Sequence, residues 1–172
     1  MSVLMNMNQF VQSRFAGQLD LQSNPNPGIL TCRLNPSSIA TYEGSPGVPA
    51  GAPVKLVDLG TADNNGVPMV DVATSDNDII IGVVVSSTKD GIFSPGQTIQ
   101  VALLGAVMAM SAKTTMNRNQ AVVADYTTPG QIIVPATGNY ILGVTLDKAV
   151  NVGDLVRVLI TANGTKYSGV ST

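Results

Sequence analysis

The segment Ser94-Pro95-Gly96-Gln97-Thr98-Ile99-Gln100-Val101-Ala102-Leu103-Leu104 joins a turn to an alternating strand. Glycine adopts the positive φ that the third position of a type II turn requires, and proline suits the second position. After the turn, Ile99, Val101 and Leu103 fall on one face, because strand side chains alternate. The segment therefore predicts a turn that leads directly into a half-buried strand.

The same pattern occurs twice more, in Pro49-Ala50-Gly51-Ala52-Pro53-Val54-Lys55-Leu56-Val57 and in Asn151-Val152-Gly153-Asp154-Leu155-Val156-Arg157-Val158-Leu159-Ile160. A second echo lies upstream of two copies, as Ile81-Gly82-Val83 and Leu142-Gly143-Val144. The copies are too few and too uneven for a solenoid. We interpret them as internal duplications inside one domain, with structural turn positions at Gly51, Gly96, Gly153, Gly82 and Gly143.

The composition favours a chain whose surface is covered by neighbours. Of the 172 residues, 44% are hydrophobic and only 12% are charged, which is about half the usual charged fraction. Glu43 is the single glutamate, and glutamate is a common residue of exposed helix surfaces. A monomer with so little surface charge is unusual, which indicates contacts with other polypeptides.

Several classes of function are disfavoured by the same totals. A net charge of −2, with nine scattered basic residues, argues against nucleic acid as a partner. No apolar run reaches the 18 residues of a membrane-spanning helix, and the start lacks the basic region of a secretory signal. Cys32 is alone, so we expect a buried thiol in a strand over residues 29–33 rather than a disulfide.

Residues 1–28 form a predicted N-terminal arm and hinge. Apolar residues at spacings of three and four predict a short helix, which would be marginal alone in water and must dock on something. The dock could be its own barrel, a sister subunit or a third protein. Pro25 and Pro27 then interrupt regular structure. The candidate contact residues of the arm are Leu4, Met7, Phe10, Val11 and Phe15.

Residues 29–172 form the predicted body, an all-β domain made of a single small barrel or sandwich of about ten short strands. Residues 35–52 are expected to be a long loop, and 63–66 a hairpin turn. Pro68 suggests that the strand over 67–73 lies at an edge. The run 79–85 is apolar on both faces, which predicts a buried strand or one that meets another subunit. The polar tail over 165–172 is expected to be loose.

No catalytic centre, cofactor site or metal site is predicted. Histidine is absent, which excludes Ser-His and Cys-His catalysis. Ser111 and Lys113 would share one face of a strand, but nothing else supports a nucleophile there. Asp71 and Asp76-Asn77-Asp78 could offer oxygen ligands to a hard cation, although the pattern of a calcium loop is incomplete. A solvated turn is the better interpretation of these aspartates.

The segments 50–57, 80–84, 95–102, 141–144 and 153–158 follow one another in the order seen in tailed-bacteriophage capsid decoration proteins, which are also called cement or head-stabilising proteins. The chain resembles that family over roughly residues 29–162, while 1–28 and 35–49 lie outside the match. The resemblance implies an all-β body, often a homotrimer, bound to the outer capsid surface over junctions between major capsid proteins. It implies no enzyme activity and no catalytic residues.

We therefore expect a virion structural protein, made in the host cytoplasm, that bridges neighbouring major capsid protein subunits. It would need no cofactor, nucleic acid or membrane. The alternative is a virion fibre or adhesion module that binds a host receptor or glycan, although the four tyrosines are scattered along the chain. A small Ser-Lys hydrolase is a third and weaker alternative.

Overall fold

The computed structural model describes residues 16–20, 27–38, 40–42, 45–57, 66–86 and 91–169, and these ranges contain strands and turns but no helix. The strands are β1 (Ile29–Leu34), β2 (Thr41–Tyr42), β3 (Ser45–Pro46), β4 (Val48–Pro49), β5 (Pro53–Leu56), β6 (Met69–Val72), β7 (Gly82–Val85), β8 (Ile92–Phe93), β9 (Thr98–Ala102), β10 (Val107–Ala112), β11 (Ala121–Ala124), β12 (Gln131–Ile133), β13 (Gly143–Thr145) and β14 (Leu155–Ile160). The predicted all-β class is confirmed. The arm residues Leu4, Met7, Phe10, Val11 and Phe15 and the predicted turn at 63–65 lie outside the described residues.

The longer strands close into two barrels. The first barrel has the order β1-β6-β5-β7-β9, and the second has the order β10-β12-β11-β13-β14. In each barrel the first strand pairs antiparallel with the last and parallel with the third in chain order. The other pairings also match between the barrels, and all are antiparallel. The two barrels are therefore copies of one five-stranded unit.

The body therefore contains two barrels where the sequence predicted one. The physical reason lies in the registers: β1 pairs with β9, and β10 pairs with β14, so each set of five strands closes on itself before the other begins. A single barrel of ten strands would also enclose a wider interior than these mainly Val, Ile, Ala and Met side chains could fill. The Gly82 and Gly143 echoes in the sequence mark equivalent strands of the two units.

The two barrel interiors are filled by residues at matching positions, all of them buried. Their volumes compensate along the strands. Cys32 and Leu34 on β1 correspond to Met110 and Ala112 on β10, so the small and large residues exchange places. Such exchanges keep the total volume that a close-packed core requires. The interior residues are Cys32, Leu34, Val54, Val70, Val84, Ile99 and Val101 in the first barrel, and Met110, Ala112, Val122, Ile132, Thr145, Val156 and Val158 in the second.

Gly51, Gly96 and Gly153 each occupy the third position of a turn. Their φ angles are 81°, 81° and 91°. In each turn the fourth residue donates its N–H to the carbonyl oxygen of the first, at 3.3, 3.1 and 3.3 Å respectively. Gly96 and Gly153 lead into the last strand of their barrels, whereas Gly51 leads into the second. The position equivalent to Gly51 in the second barrel is Asn119, which has a φ of 61°.

Gly82 and Gly143 are not turn positions, contrary to the prediction. They are the first residues of β7 and β13, and neither is among the residues with positive φ. Glycine is needed there because another backbone passes too close for a side chain. A Cβ on either residue would meet a carbonyl oxygen of the last strand in the same barrel.

Residues 16–20, within the predicted arm and hinge, lie against β10. The N–H of Gly17 donates to the carbonyl of Ala109, and the N–H of Asp20 donates to the carbonyl of Val107, both at 2.8 Å. Gly17 also packs on the turn of Gly51, where a Cβ would come within 2.5 Å of the Gly51 nitrogen. Gly130 of the second barrel donates its N–H to the Gly51 carbonyl at 3.2 Å. Three backbones thus meet where the barrels join.

An apolar core also connects the barrels. Val83, Val85 and Ala102 point outward from the first barrel and pack in the same buried cluster as the interior of the second. Residues 103–106 make the covalent link, in which the N–H of Gly105 donates to Ile160 at 2.9 Å. The two barrels therefore pack against each other through a common buried cluster, in addition to their covalent link.

Some local predictions were wrong, and one was correct only in part. The run 79–85 contains the predicted buried strand only over Gly82–Val85, and Ile79 is 54% exposed. Pro68 does not mark an edge strand, because β6 pairs with β1 on one side and β5 on the other, and the Pro68 carbonyl accepts the N–H of Arg33 at 2.9 Å. Residues 35–52 contain the short strands β2, β3 and β4 as well as loop.

The described part of the tail is paired, although the sequence predicted a loose segment. The N–H of Ile141 donates to Thr165, and the N–H of Tyr167 donates to Asn139. An isolated bridge joins Lys166 to Tyr140, and the Lys166 ammonium lies 4.8 Å from the centre of the Tyr140 ring. Backbone hydrogen bonds can order a polar segment as well as an apolar one, so the polar composition of the tail did not predict its pairing. No helix in the described ranges is long and apolar enough to cross a membrane.

Candidate interaction surface

The paired Ser111 and Lys113 do not make a nucleophile and base. The Lys113 ammonium forms an ion pair with the buried carboxylate of Asp125. Burial raises the pKa of Asp125, but hydrogen bonds from Lys113 and Thr127 outweigh it and leave the pKa below its usual value. The Ser111 backbone N–H bonds to Gly130 in the barrel. The described contacts therefore engage the Lys113 side chain with Asp125 and show no group that activates the Ser111 hydroxyl.

The aspartates considered as cation ligands are separated by their partners. Asp71 accepts hydrogen bonds from Asn35 at 3.0 Å and Ser38 at 2.7 Å. Asp78 pairs with Lys55 at 2.7 Å. Burial raises the pKa of Asp78, while the Lys55 bond and backbone N–H groups lower it below its usual value overall. In the described part of the chain, no three His, Cys, Asp or Glu side chains are grouped to hold a metal ion.

Cys32 is a buried interior residue of the first barrel, as the sequence predicted. Burial raises the pKa of its thiol. A thiol of raised pKa inside a packed barrel is a poor nucleophile and a poor metal ligand, because the thiolate is the reactive form. Cys32 therefore fills space in the core.

A cavity of about 600 Å³ lies between residues 18–19 and the strands β8 and β9. Its described walls carry amides, hydroxyls and apolar side chains, including Gln18, Ser86 and Gln100, and none of the described lining side chains ionises. That part of the wall therefore offers no acid, base or charged ligand.

The first candidate contact surface is an apolar groove of about 510 Å³ at the end of the first barrel. We call it the mouth groove. Leu56, Ile79 and Leu104 on its rim are 57%, 54% and 60% exposed. Large apolar side chains gathered in this way typically mark a contact with another polypeptide. The remaining lining residues are Leu30, Pro68, Ile80, Ile81, Leu103, Ala162, Asn163 and Gly164.

The second candidate contact surface is carried by the turn of Gly153, and we call it the turn patch. Val150, Val152 and Leu155 are 62%, 72% and 43% exposed. The Asp154 carboxylate accepts the N–H groups of Val150 and Asn151, both at 2.8 Å. These bonds lower the pKa of Asp154. These bonds fix the backbone of the turn, and Val150 and Val152 are exposed on it.

An ion pair braces the strand that follows the turn patch. The Arg157 guanidinium donates to both carboxylate oxygens of Asp147, at 2.8 and 2.7 Å. This hydrogen bonding lowers the pKa of Asp147 and raises that of Arg157. Arg157 also lies 4.0 Å from Asp20 of the N-terminal segment. These charged side chains therefore pair with one another within the chain.

Sequence reasoning placed the candidate contact residues at Leu4, Met7, Phe10, Val11 and Phe15, which lie outside the described residues, and it did not identify the turn patch. One signal was available for the turn patch: Val152 is an apolar residue at a turn position where polar residues or proline are usual. For the mouth groove, the sequence flagged only the apolar run 79–85, as a buried strand or one that meets another subunit, and Ile79, Ile80 and Ile81 of that run line the groove. Ile79, Leu56 and Leu104 are far apart in the chain and meet only when the first barrel closes.

Comparison with known proteins gives one match by sequence. A family model described as XM1 gp53 minor capsid protein matches residues 19–160. Among curated proteins, no sequence matches significantly. A solved structure, the head fiber gp8.5 N base in bacteriophage phi29, is 15% identical with a TM-score of 0.49 over 83% of this chain and 100% of that one. At that score and identity the likeness carries no conclusion about function.

Proposed function

The chain belongs to the XM1 gp53 minor capsid protein family and is a phage capsid-associated structural protein; from this premise we propose that it decorates the capsid and stabilises it by bridging neighbouring major capsid protein subunits. The observation that carries the proposal is the presence of two separate apolar surfaces, the mouth groove and the turn patch, on one double barrel. A structural protein with two such surfaces can contact two subunits at once.

Each surface alone would bind weakly. Burying apolar surface yields roughly 25 cal/mol per Å², and much of this is offset by the loss of translational freedom. When one surface is bound, the second finds its partner at a high effective concentration. The buried clusters that join the barrels keep the two surfaces at a fixed relation. Bridging by a rigid body is then stronger than the sum of two independent contacts.

The arm adds a third contact in this proposal. Leu4, Met7, Phe10, Val11 and Phe15 would anchor on the capsid, while residues 16–20 fix the base of the arm to β10. The arm would therefore supplement the two apolar surfaces and would not be the sole attachment.

In this proposal the protein acts from the outer capsid surface as a homotrimer and catalyses no reaction. A trimer presents three copies of each apolar surface, which multiplies the effect of weak contacts. Because it would bind the assembled shell and not free subunits, binding would stabilise the shell by linkage. The low charge of the chain, at 12% of residues, fits a surface that contacts other polypeptides.

The proposal is tested with phage shells that lack this protein. Purified protein is added, unbound protein is removed by sedimentation, and the copy number per shell and the temperature of shell disruption are measured. Decoration predicts saturable binding with copy numbers that scale with capsomers, together with a higher disruption temperature. A few copies at a single vertex would instead support the fibre or adhesion alternative. Binding without any gain in shell stability would refute the bridging role.

The arm is tested by a deletion that stops at Phe15. Residues 16–20 must stay, because they pair with β10 and removing them would damage the fold. We expect the truncated protein to remain folded and to bind shells at least tenfold more weakly. Unchanged retention would remove the arm from the mechanism while leaving the two apolar surfaces in place.

A further inference from the structure

The second barrel accepts an extended segment along half of its first strand. β12 pairs with β10 only at Ser111 and Ala112, so the earlier part of β10 has no barrel neighbour on that side. Residues 16–20 fill this place. The N–H of Ala109 donates to the carbonyl of Gln18 at 2.8 Å, and Ala109 in turn accepts the N–H of Gly17. Leu19 packs against the buried cluster of the second barrel.

The first barrel has the same half-strand edge on β1. β6 pairs with β1 only at Arg33 and Leu34. Leu34 donates to Gln97, and Gly28 accepts from Leu103, so the even-numbered residues of this stretch face β9. The peptide groups of Thr31, which corresponds to Ala109, therefore face away from β9. Among the described residues, none forms a hydrogen bond with the N–H or C=O of Thr31.

The barrel end beside this edge is also more open in the first barrel than in the second. In the second barrel, the residues that line it are fully buried, including Met108, Leu142 and Ile160. Their equivalents in the first barrel are Leu30, Ile81 and Leu103, which are only partly buried and line the mouth groove. Among the described residues, the first barrel thus presents a strand edge with no hydrogen-bonded neighbour next to an open apolar mouth. In the second barrel both the edge and the mouth are covered.

We propose that residues 29–31 and the mouth groove form a strand-acceptor site, and that its occupant is an extended segment of a capsid subunit. This inference rests on the proposed function and names the contact that it would use. The incoming segment would pair with Thr31 as residues 17–18 pair with Ala109. An aliphatic side chain would enter the mouth groove, in the way that Leu19 packs against the buried cluster of the second barrel. Addition of a strand to an exposed edge is a common mode of peptide recognition.

The charged residues beside the β10 and β1 edges indicate the charge of the segment that the strand-acceptor site would bind. In the second barrel, Asp20 of the bound segment lies 4.0 Å from Arg157, which faces Ala109 across the sheet. In the first barrel, the residue that faces Thr31 is Gln100. A carboxylate in the place of Asp20 would gain no ion pair there. The site therefore suits a neutral segment, and residues 16–20 of a second copy, which carry Asp20, would fit it less well.

The test is amide hydrogen exchange on the wild-type protein, free and bound to shells that lack it. In the free protein we expect fast exchange at Thr31 and slow exchange at Ala109, which is already bonded. On shells, exchange at Thr31 should slow at least tenfold. Shell binding without protection of Thr31 would overturn the inference and leave the proposed function standing. Protection that rises with protein concentration in the absence of shells would assign the site to a second copy and overturn it as well.

Substitutions supply an independent test. Thr31→Pro removes the outward N–H and places a ring on the edge, and no hydrogen bond among the described residues uses that N–H. Thr31→Val keeps the N–H and the shape of the side chain, so it is the matched control. We expect at least a tenfold loss of shell affinity for Thr31→Pro and no change for Thr31→Val. Equal retention of both variants would overturn the inference, and failure of the wild type to bind would remove the proposed function with it.

Discussion

Gly82 and Gly143 occupy the same place in the two barrels, under the last strand of each. A Cβ on Gly82 would lie 2.2 Å from the carbonyl oxygen of Ala102, and a Cβ on Gly143 would lie 2.3 Å from that of Leu159. The second contact is also repeated, at 2.7 Å to Val101 and 2.8 Å to Val158. A backbone atom cannot move aside as the end of a side chain can. Both positions therefore require glycine for closure of the barrel.

Alanine at either of these glycines should destabilise the protein strongly. The added methyl group must push two paired strands apart in a filled core, which costs about 3 kcal/mol. For a chain of this length we expect a fall in melting temperature of roughly 10 °C for Gly82→Ala and for Gly143→Ala. Differential scanning calorimetry measures the change.

The control is Gly138→Ala. Gly138 has a φ of 95°, and a Cβ added to it would meet no other heavy atom within 4 Å. Alanine there suffers only from the left-handed backbone, at about 1 kcal/mol. If Gly138→Ala proved as damaging as Gly82→Ala, close strand approach would not explain the two strand glycines.

The sequence predicted the strands well because they follow local rules. The turn residues at Gly96 and Gly153 and the alternation after them are contained within about ten residues each. Closure is not local: it depends on which strand pairs with which. The loops also hide the repeat, since residues 35–52 join the first two long strands of one barrel and only 113–120 join those of the other. The duplication was visible in the sequence, but its extent was not.

The candidate site was harder to predict than the fold. Apolar patterning tells which face of a strand is buried, but it does not tell which end of a barrel is left uncovered. Leu30 and Met108 are equivalent and both apolar, yet only Met108 is fully buried, because residues 16–20 pack beside it. This difference depends on a segment distant in the chain. The sequence therefore predicted apolar contacts with neighbouring polypeptides, but it assigned them to the arm and to the run 79–85 and did not identify the turn patch.

Loss of the Thr145 hydroxyl should loosen the loop before β11, because this hydroxyl bonds to the loop backbone. Thr145 stands where the first barrel has Val84, and its hydroxyl donates to Asn117 at 2.7 Å and accepts the N–H of Gln120 at 3.0 Å. Thr145→Val leaves these groups without their partner, at a cost of about 1 kcal/mol. Amide exchange at Gln120 should accelerate, while the Asn119 N–H, bonded to the Thr145 carbonyl, should change little. Equal acceleration at both would point to general loosening instead.

Replacement of Tyr126 by phenylalanine should stabilise the protein at high pH. Burial, with the nearby charges of Asp76 and Asp78, raises the pKa of Tyr126 to about 12. An unfolded tyrosine ionises near 10. Between these values the unfolded state loses a proton that the folded state keeps, so wild-type stability falls as the pH rises. Tyr126→Phe removes that loss.

At neutral pH the same substitution should be neutral or stabilising by about 1 kcal/mol. The hydroxyl of Tyr126 is buried and, within the described residues, has no hydrogen-bond partner. Urea denaturation at pH 7 and pH 11 separates the two effects, and Tyr140→Phe serves as the control. A Tyr126→Phe variant that is less stable than the wild type at both pH values would show that the hydroxyl has a partner.

Asp147 should contribute stability that disappears in acid. Its bidentate bond with Arg157 lowers the pKa of the carboxyl. A lowered folded pKa stabilises the protein above the unfolded pKa of about 4, and this contribution is lost as the pH falls from there through the folded value. Asp147→Asn should cost about 1 kcal/mol at pH 7, since the pair is partly exposed. The difference from the wild type should shrink between pH 4 and pH 2 in thermal melts; a constant difference would contradict the ionic origin.

Charge placed on either apolar surface should weaken capsid binding without unfolding the protein. Leu56 and Val152 are 57% and 72% exposed, so Leu56→Asp and Val152→Asp remove little buried contact within the chain. If both surfaces engage the capsid, each variant should bind shells at least tenfold more weakly, and the double variant should lose more than either alone. Val134→Asp is the matched control, because Val134 is 42% exposed and belongs to neither surface. Equal losses for all three would indicate a general effect of added negative charge, and loss from only one of the first two would reduce the bridge to a single attachment.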